Sequence, residues 1–200
     1  MDSSAENSAS AYLDLPLGEF LDRVASDRPT PGGGSVAAVA VALAAGLAGM
    51  AARLSTSQLA DALELANQAD ASRLRAAPLA WADAESYGRV LDAYREPDPE
   101  TRKARVRDAL SGAADVPLAV AETGNEVAGL AARLVEEGNP NLVGDAITAV
   151  LLSEAGVRAA ARLVGINLST ADIDDDRLGR ANKLVDTTAA TARGATGGGG

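Results

Sequence analysis

The chain has no cysteine and no histidine among its 200 residues. The first absence removes disulfides, thiolate metal sites and cysteine nucleophiles. The second removes serine–histidine triads, histidine zinc sites and any imidazole general base. There are five aromatic residues, Tyr12, Phe20, Trp81, Tyr87 and Tyr94, too few for a platform on which nucleic-acid bases stack. Cations are outnumbered 18 to 28, for a net charge of −10. That balance turns away a phosphate backbone, so no nucleic-acid partner is expected. Any chemistry must fall to Asp, Glu, Lys, Arg, Tyr, Ser, Thr or backbone groups.

What the chain has in abundance is alanine, 45 residues. Alanine is the best helix former and a poor strand former. The expected fold class is therefore all-α, an antiparallel bundle of about six helices joined by their small side chains. The length fits one domain with a real core. A disordered leader is expected over 1–14, one helical domain over 15–192 and a disordered glycine-rich tail over 193–200. Met1 to Ala11 is polar and acidic without a basic start, unlike a signal peptide. A cytoplasmic protein is expected. Val36 to Ala52 is uncharged and just long enough to suggest a membrane span. Its Ala and Gly content points instead to a buried central helix, and no membrane partner is expected.

The helices follow from apolar spacing and breakers. Asp14 and Pro16 open a first helix, with Leu17, Phe20, Leu21, Val24 and Ala25 on one face. The Pro29–Ser35 loop leads into the Val36–Leu54 helix. Ser55–Ser57 is expected to cap a helix over about 57–94, kinked at Pro78. A long helix follows from Thr101 to about Glu137. The fifth runs from Leu142 to Val164, with Gly165 as its C-cap. The acidic run Asp172 to Asp176 is expected to charge the N-terminus of a last helix ending near Thr191; it lacks the glycine and closing glutamate of a calcium loop.

Three features carry chemistry. Gly32-Gly33-Gly34-Ser35 exposes N–H groups at a helix start, which suits an anion. It lacks the lysine of a phosphate-binding P-loop and has no preceding strand. The plain alternative is a tight turn with Ser35 as N-cap. Asp83 and Tyr87 share a helix face at i and i+4. With Trp81 nearby, partial desolvation of Asp83 is expected to lift its pKa toward a useful acid/base range; the alternative is a solvated surface acid. Asn139 and Asn141 are candidate caps for the fifth helix, and Asp145 lies in its first turn, where the dipole favours a carboxylate.

Taken as an ordered set, these segments resemble the cyclodeaminase/cyclohydrolase family. It comprises the cyclodeaminase part of formiminotransferase-cyclodeaminase and the stand-alone bacterial methenyltetrahydrofolate cyclohydrolases. The segments are Phe20-Leu21, Pro29-Thr30-Pro31-Gly32-Gly33-Gly34-Ser35-Val36-Ala37-Ala38 with Met50, Asp83-Ala84-Glu85-Ser86-Tyr87, Val116-Pro117-Leu118 with Ala121-Glu122, Gly138-Asn139, Gly144-Asp145-Ala146 and Gly165-Ile166-Asn167-Leu168. They extend from about residue 17 to 185.

The resemblance implies a homodimeric helical bundle with a folate pocket at or near the subunit interface. It implies one-carbon chemistry on tetrahydrofolate, with no metal and no cofactor beyond the folate substrate. Asp83 would be the catalytic acid/base. Pro31, Gly32, Gly33, Gly34, Ser35 and Tyr87 would meet the substrate, with Arg102, Glu122, Asn139 and Asp145 as supporting candidates. Two positions depart from the family pattern. Ser55-Thr56-Ser57-Gln58-Leu59 lacks the lysines many relatives carry there, and Trp81 stands where an acid often does. Because a fold hosts many functions, two alternatives stay open. One is a helical dimer that binds a ligand or partner without turnover. The other is a relative acting on a different cyclic amidine or formyl substrate.

Overall fold

A computed structural model describes residues 12–197. These residues form seven α-helices, one 3-10 turn and no strand: α1 (Leu17–Val24), α2 (Gly33–Arg53), α3 (Ala62–Tyr94), α4 (Pro99–Ala113), α5 (Asp115–Glu137), the turn Pro140–Leu142, α6 (Val143–Thr170) and α7 (Asp176–Gly197). The all-α bundle is the fold class that the alanine content foretells. Short connections join successive helices.

Helix α2 is the axis of the bundle. It packs on α3, α5 and α6. By length and composition it would suffice to cross a membrane, yet Ala38, Val41, Ala44, Ala45, Ala48 and Ala52 are fully buried along it. Small residues bring these backbones together. A Cβ placed on Gly156 of α6 would lie 2.6 Å from Val41 Cγ2, and one on Gly124 of α5 would lie 2.7 Å from Val157 Cγ2. Both are closer than packed carbons allow, so the three helices meet around Val41 only because two glycines make room.

Several boundaries differ from the sequence-based expectation. Helix α3 begins at Ala62, not near 57, because Ser55 is spent elsewhere. Its hydroxyl donates to Ala51 O (2.7 Å) and accepts from the Asn139 N–H (2.9 Å). As expected, Pro78 lies inside a single helix. The expected 101–137 helix divides at Ala114 into α4 and α5. Pro117 then falls in the first turn of α5, where a missing N–H costs least. Helix α6 passes through Gly165 and ends at Thr170, so Gly165 is no C-cap. Leu178 of α7 lies 3.4 Å from where a Gly165 Cβ would stand, so Gly165 faces α7 at ordinary contact distance.

The chain ends also differ. The expected leader lies mostly outside the described residues, but Tyr12 is buried, edge-on to Phe20 (5.8 Å) and Trp81 (4.9 Å). Helix α7 continues to Gly197, past Thr191 and into the segment expected to be tail; 198–200 lie outside the described residues. The acidic run does open α7. Asp175 accepts the Arg177 N–H (2.8 Å) as an N-cap and holds the Arg177 guanidinium (2.6 Å), which also donates to Ser111 O (2.8 Å) and Asp115 (2.6 Å). That guanidinium holds the Asp175 carboxyl down at about 2.

Candidate active site

The site forms where the first turn of α2 meets the middle of α3. The loop before α2 carries a cis Thr30–Pro31 peptide and delivers Gly32 as the N-cap of α2, with no side-chain cap. Ser35 is therefore not the N-cap. It is fully buried in the first helical turn and faces α3. Its backbone N–H donates to Asp83 Oδ2 (2.9 Å) and its hydroxyl donates to Ala80 O (2.7 Å), with Asp83 Oδ2 at 3.2 Å. Asp83 thus caps α2 from another helix, 48 residues away in sequence. Negative charge is favoured there by the helix dipole.

Gly34 is dictated by this contact. A Cβ on it would overlap the Asp83 carboxylate, lying 2.8 Å from Oδ2 and closer still to the other carboxylate atoms. No larger side chain fits between the turn and the acid. The N–H groups of Gly33 and Gly34 have no acceptor among the described residues, and both glycines line the same cavity as Asp83.

That cavity has a volume of about 240 Å³, less than the roughly 300–1,000 Å³ that encloses a whole drug-sized ligand. It accepts a ring system and leaves the rest of a larger molecule outside. Asp83 is the only acid in its lining, and the floor is apolar, from Val90, Leu110, Leu163 and Ile166. Burial pushes the Asp83 carboxyl above its ordinary value of 3.8, against the two Ser35 hydrogen bonds, which pull it down. The glycine turn of α2 lies directly against the carboxylate, and Trp81 packs on Tyr12. The Ser35 hydroxyl has one hydrogen and two neighbours. When Asp83 carries a proton, the hydroxyl can donate to Ala80 O and accept from the carboxyl, so Asp83 keeps its partner in both protonation states.

Of the sequence-selected residues, Gly32, Gly33, Gly34, Asp83 and Tyr87 line this cavity. Ser35 lies beneath it, and Pro31 lines an adjoining apolar hollow with Val24 and Val36. The others lie apart within the subunit. Arg102 lines a neighbouring cavity on α4. Glu122 is paired with Arg180 of α7. Asn139 sits at the opposite end of α2, where its Nδ2 donates to Leu54 O (2.9 Å) and its side chain accepts from the Asn141 N–H (3.0 Å). Asp145 lies in the first turn of α6, roughly 27 Å along the helix from Leu163 at 1.5 Å per residue.

Among the cavity residues that the sequence does not single out are Ser86 and Asn167. Ser86 follows Asp83 by three on the same helix face, and its hydroxyl is buried without a partner. Asn167 has a specific cause. Pro117 has no N–H to offer the Ala113 carbonyl, and Asn167 Nδ2 donates to it instead (2.8 Å). This bond fixes the Asn167 amide at the cavity wall. The quoted segments around 86, 117 and 167 held the signal, but only the fold connects them.

The family profile described as Formiminotransferase-cyclodeaminase matches residues 16–187. The chain belongs to that family. It is 35% identical over 164 residues to the methenyltetrahydrofolate cyclohydrolase of Methylorubrum extorquens, covering 76% of this chain and 79% of that protein. It is 33% identical over 186 residues to the formimidoyltransferase-cyclodeaminase of Rattus norvegicus, covering 88% of this chain. The chain spans about a third of that longer protein, 34% of its length. The crystal structure of a formiminotetrahydrofolate cyclodeaminase from Thermotoga maritima superimposes with a TM-score of 0.78 at 29% identity, over 92% of both chains.

The raised Asp83 pKa has a consequence for stability. Between 3.8 and the folded-state value, the folded protein binds more protons than the unfolded chain, so this group's contribution falls as pH rises. Asp83→Asn removes that dependence. The stability of Asp83→Asn minus that of the wild type, measured by urea unfolding, is expected to rise with pH from about 4 and to level off above the folded-state pKa. A difference that falls with pH would show that the carboxylate, not the acid, is the favoured form.

Proposed function

We propose that this protein is a folate-dependent one-carbon enzyme that hydrolyses the methenyl bridge of methenyltetrahydrofolate, with Asp83 as general acid/base. The observation that carries the reading is a lone, partly buried carboxyl of raised pKa, held by Ser35 beside free backbone donors. Water adds to the methenyl carbon to give a tetrahedral centre, and Asp83 takes a proton from that water. The C–N5 bond then breaks and N5 gains a proton, leaving the formyl group on N10; the net release is one proton. The Gly33 and Gly34 N–H groups are placed to stabilise oxygen bearing developing charge. An acid with a pKa lifted toward the working pH suits both transfers. A single carboxyl is a proton-transfer group rather than a metal cage, so the reaction is proposed to need no metal and no cofactor beyond the folate.

The second reading is cyclodeamination, in which N10 attacks a formimino carbon on N5 and ammonia leaves. It uses the same groups, and the Thermotoga match over 92% of both chains favours keeping it. The test is the loss of methenyltetrahydrofolate absorbance above the uncatalysed rate, alongside its appearance from 5-formiminotetrahydrofolate. Asp83→Asn is expected to lower the active reaction by about 10²–10⁴-fold, the usual scale of a general acid/base. Wild-type-like turnover by Asp83→Asn would remove Asp83 from the mechanism, and no turnover of either substrate by the wild type would remove the folate reading.

We also propose a homodimer built along α2. Val36, Ala40, Leu43, Leu47, Met50 and Leu54 alternate at spacings of four and three, the seam of a helix that pairs with another. Val36 (41%) and Leu43 (59%) on α2, and Leu54 (55%) just past its end, are exposed. A second copy is the occupant that answers such a seam on the same chain. Sedimentation equilibrium is expected to give twice the chain mass, falling to a monomer in Leu43→Glu; a monomeric wild type would contradict the proposal.

A further inference from the structure

Seven polar side chains are buried among the described residues. Five have hydrogen-bond partners: Ser35 donates to Ala80 O, Ser55 to Ala51 O, Thr123 to Ala119 O and Thr188 to Asn125, and Ser72 accepts from Arg75. The Ser86 and Ser153 hydroxyls have none. Ser153 is fully enclosed beside Gly124 in the core. Ser86 lines the Asp83 cavity. A buried hydroxyl without a partner costs stability. A helical serine or threonine can avoid that cost by turning back to the carbonyl four residues earlier. Ser55 and Thr123 do so, whereas Ser86 makes no bond to Ala82 O.

Ser86 stands three residues after Asp83 on α3, and both line the same cavity. Side chains so spaced on a helix are neighbours, about 5–6 Å apart at Cβ. Two hydrogen bonds to one water, each about 2.8 Å, span a gap of that size. The Asp83 carboxyl has an oxygen to spare. Its Oδ2 takes the Ser35 N–H (2.9 Å) and has the Ser35 hydroxyl at 3.2 Å, while Oδ1 accepts no hydrogen bond among the described residues.

Resting on the hydrolytic reading above, we propose that Ser86 is a positioning residue for the attacking water, which it holds jointly with Asp83. One hydrogen of that water points to Asp83 Oδ1 and the other to Ser86 Oγ, leaving an oxygen lone pair for the methenyl carbon. As the C–O bond forms, the first hydrogen passes to Asp83 as a proton, and a C–N π pair withdraws onto nitrogen and quenches the positive charge of the bridge. Ser86 keeps its own proton throughout. In cyclodeamination N10 is the nucleophile and no water adds, so the hydroxyl has nothing to hold. Ser86 therefore fits the Asp83 site to hydrolysis rather than to cyclodeamination.

The test compares wild type, Ser86→Ala and Ser153→Ala in methenyltetrahydrofolate hydrolysis and in urea unfolding. Each substitution removes a buried, unpaired hydroxyl, so both variants are expected to match or exceed the wild-type unfolding midpoint. Ser86→Ala is nevertheless expected to lower kcat about tenfold, the scale of one lost hydrogen bond, with KM little changed. Ser153→Ala keeps the wild-type kcat. Any wild-type conversion of 5-formiminotetrahydrofolate is expected to be unchanged in Ser86→Ala. A Ser86→Ala kcat equal to that of wild type, a rise in KM alone, or an equal loss in both reactions overturns the water-holding role, while hydrolysis by the wild type leaves the enzyme reading standing. A Ser86→Ala unfolding midpoint below that of wild type also overturns it, since the hydroxyl would then be bonded within the fold. Absence of hydrolysis by the wild type overturns the hydrolytic reading itself, and the role of Ser86 with it.

Discussion

The contact between the Ser35 N–H and the Asp83 carboxyl is the constraint around which the site is arranged. It joins the N-terminus of α2, the central helix, to the middle of α3, the longest one. It requires a glycine at 34, since any Cβ would occupy the space of the carboxylate. It requires a small residue at 35 whose hydroxyl reaches Ala80 O. It also desolvates the acid, because the turn that supplies the hydrogen bond is the turn that covers it. One contact therefore sets the position, the burial and the proton affinity of the same group.

The bundle supports this contact through small residues rather than large ones. Alanine buries little area, so an alanine-rich core depends on close backbone approach, as at Val41 between Gly124 and Gly156. A rigid α2 holds its first turn against α3 from within the core. Pro117 shows the same economy of means on the opposite wall. It ends one helix and begins another, orphans a carbonyl, and thereby fixes Asn167 at the cavity. A backbone irregularity far from Asp83 in sequence thus shapes the pocket that Asp83 serves.

Much of this was legible in the sequence, and the failures are physical. The alanine content and the break at the Pro29–Ser35 loop foretell an all-α bundle, and the triple glycine marks the turn that matters. Reading Ser35 as an N-cap erred because local capping rules see only neighbours, whereas the group that caps α2 comes from α3. Gly165 resembles a stop signal, but the helix continues through it to Thr170. Arg102, Glu122, Asn139 and Asp145 follow from the family resemblance, and within one subunit they lie outside the Asp83 cavity. Ser86 and Asn167 were in view as motif letters, yet nothing in their spacing to the rest of the chain indicates that they share a cavity.

The central claim is that burial under the α2 turn outweighs the Ser35 hydrogen bonds and keeps the Asp83 proton at higher pH than an ordinary aspartate would. Carbon-13 carboxyl titration of the intact protein tests it directly, with the Asp83 resonance assigned by its loss in Asp83→Asn. The account predicts a midpoint for this resonance above 3.8. A midpoint at or below 3.8 would mean that the hydrogen bonds and the helix dipole dominate, and would contradict Asp83 as a proton carrier tuned by burial.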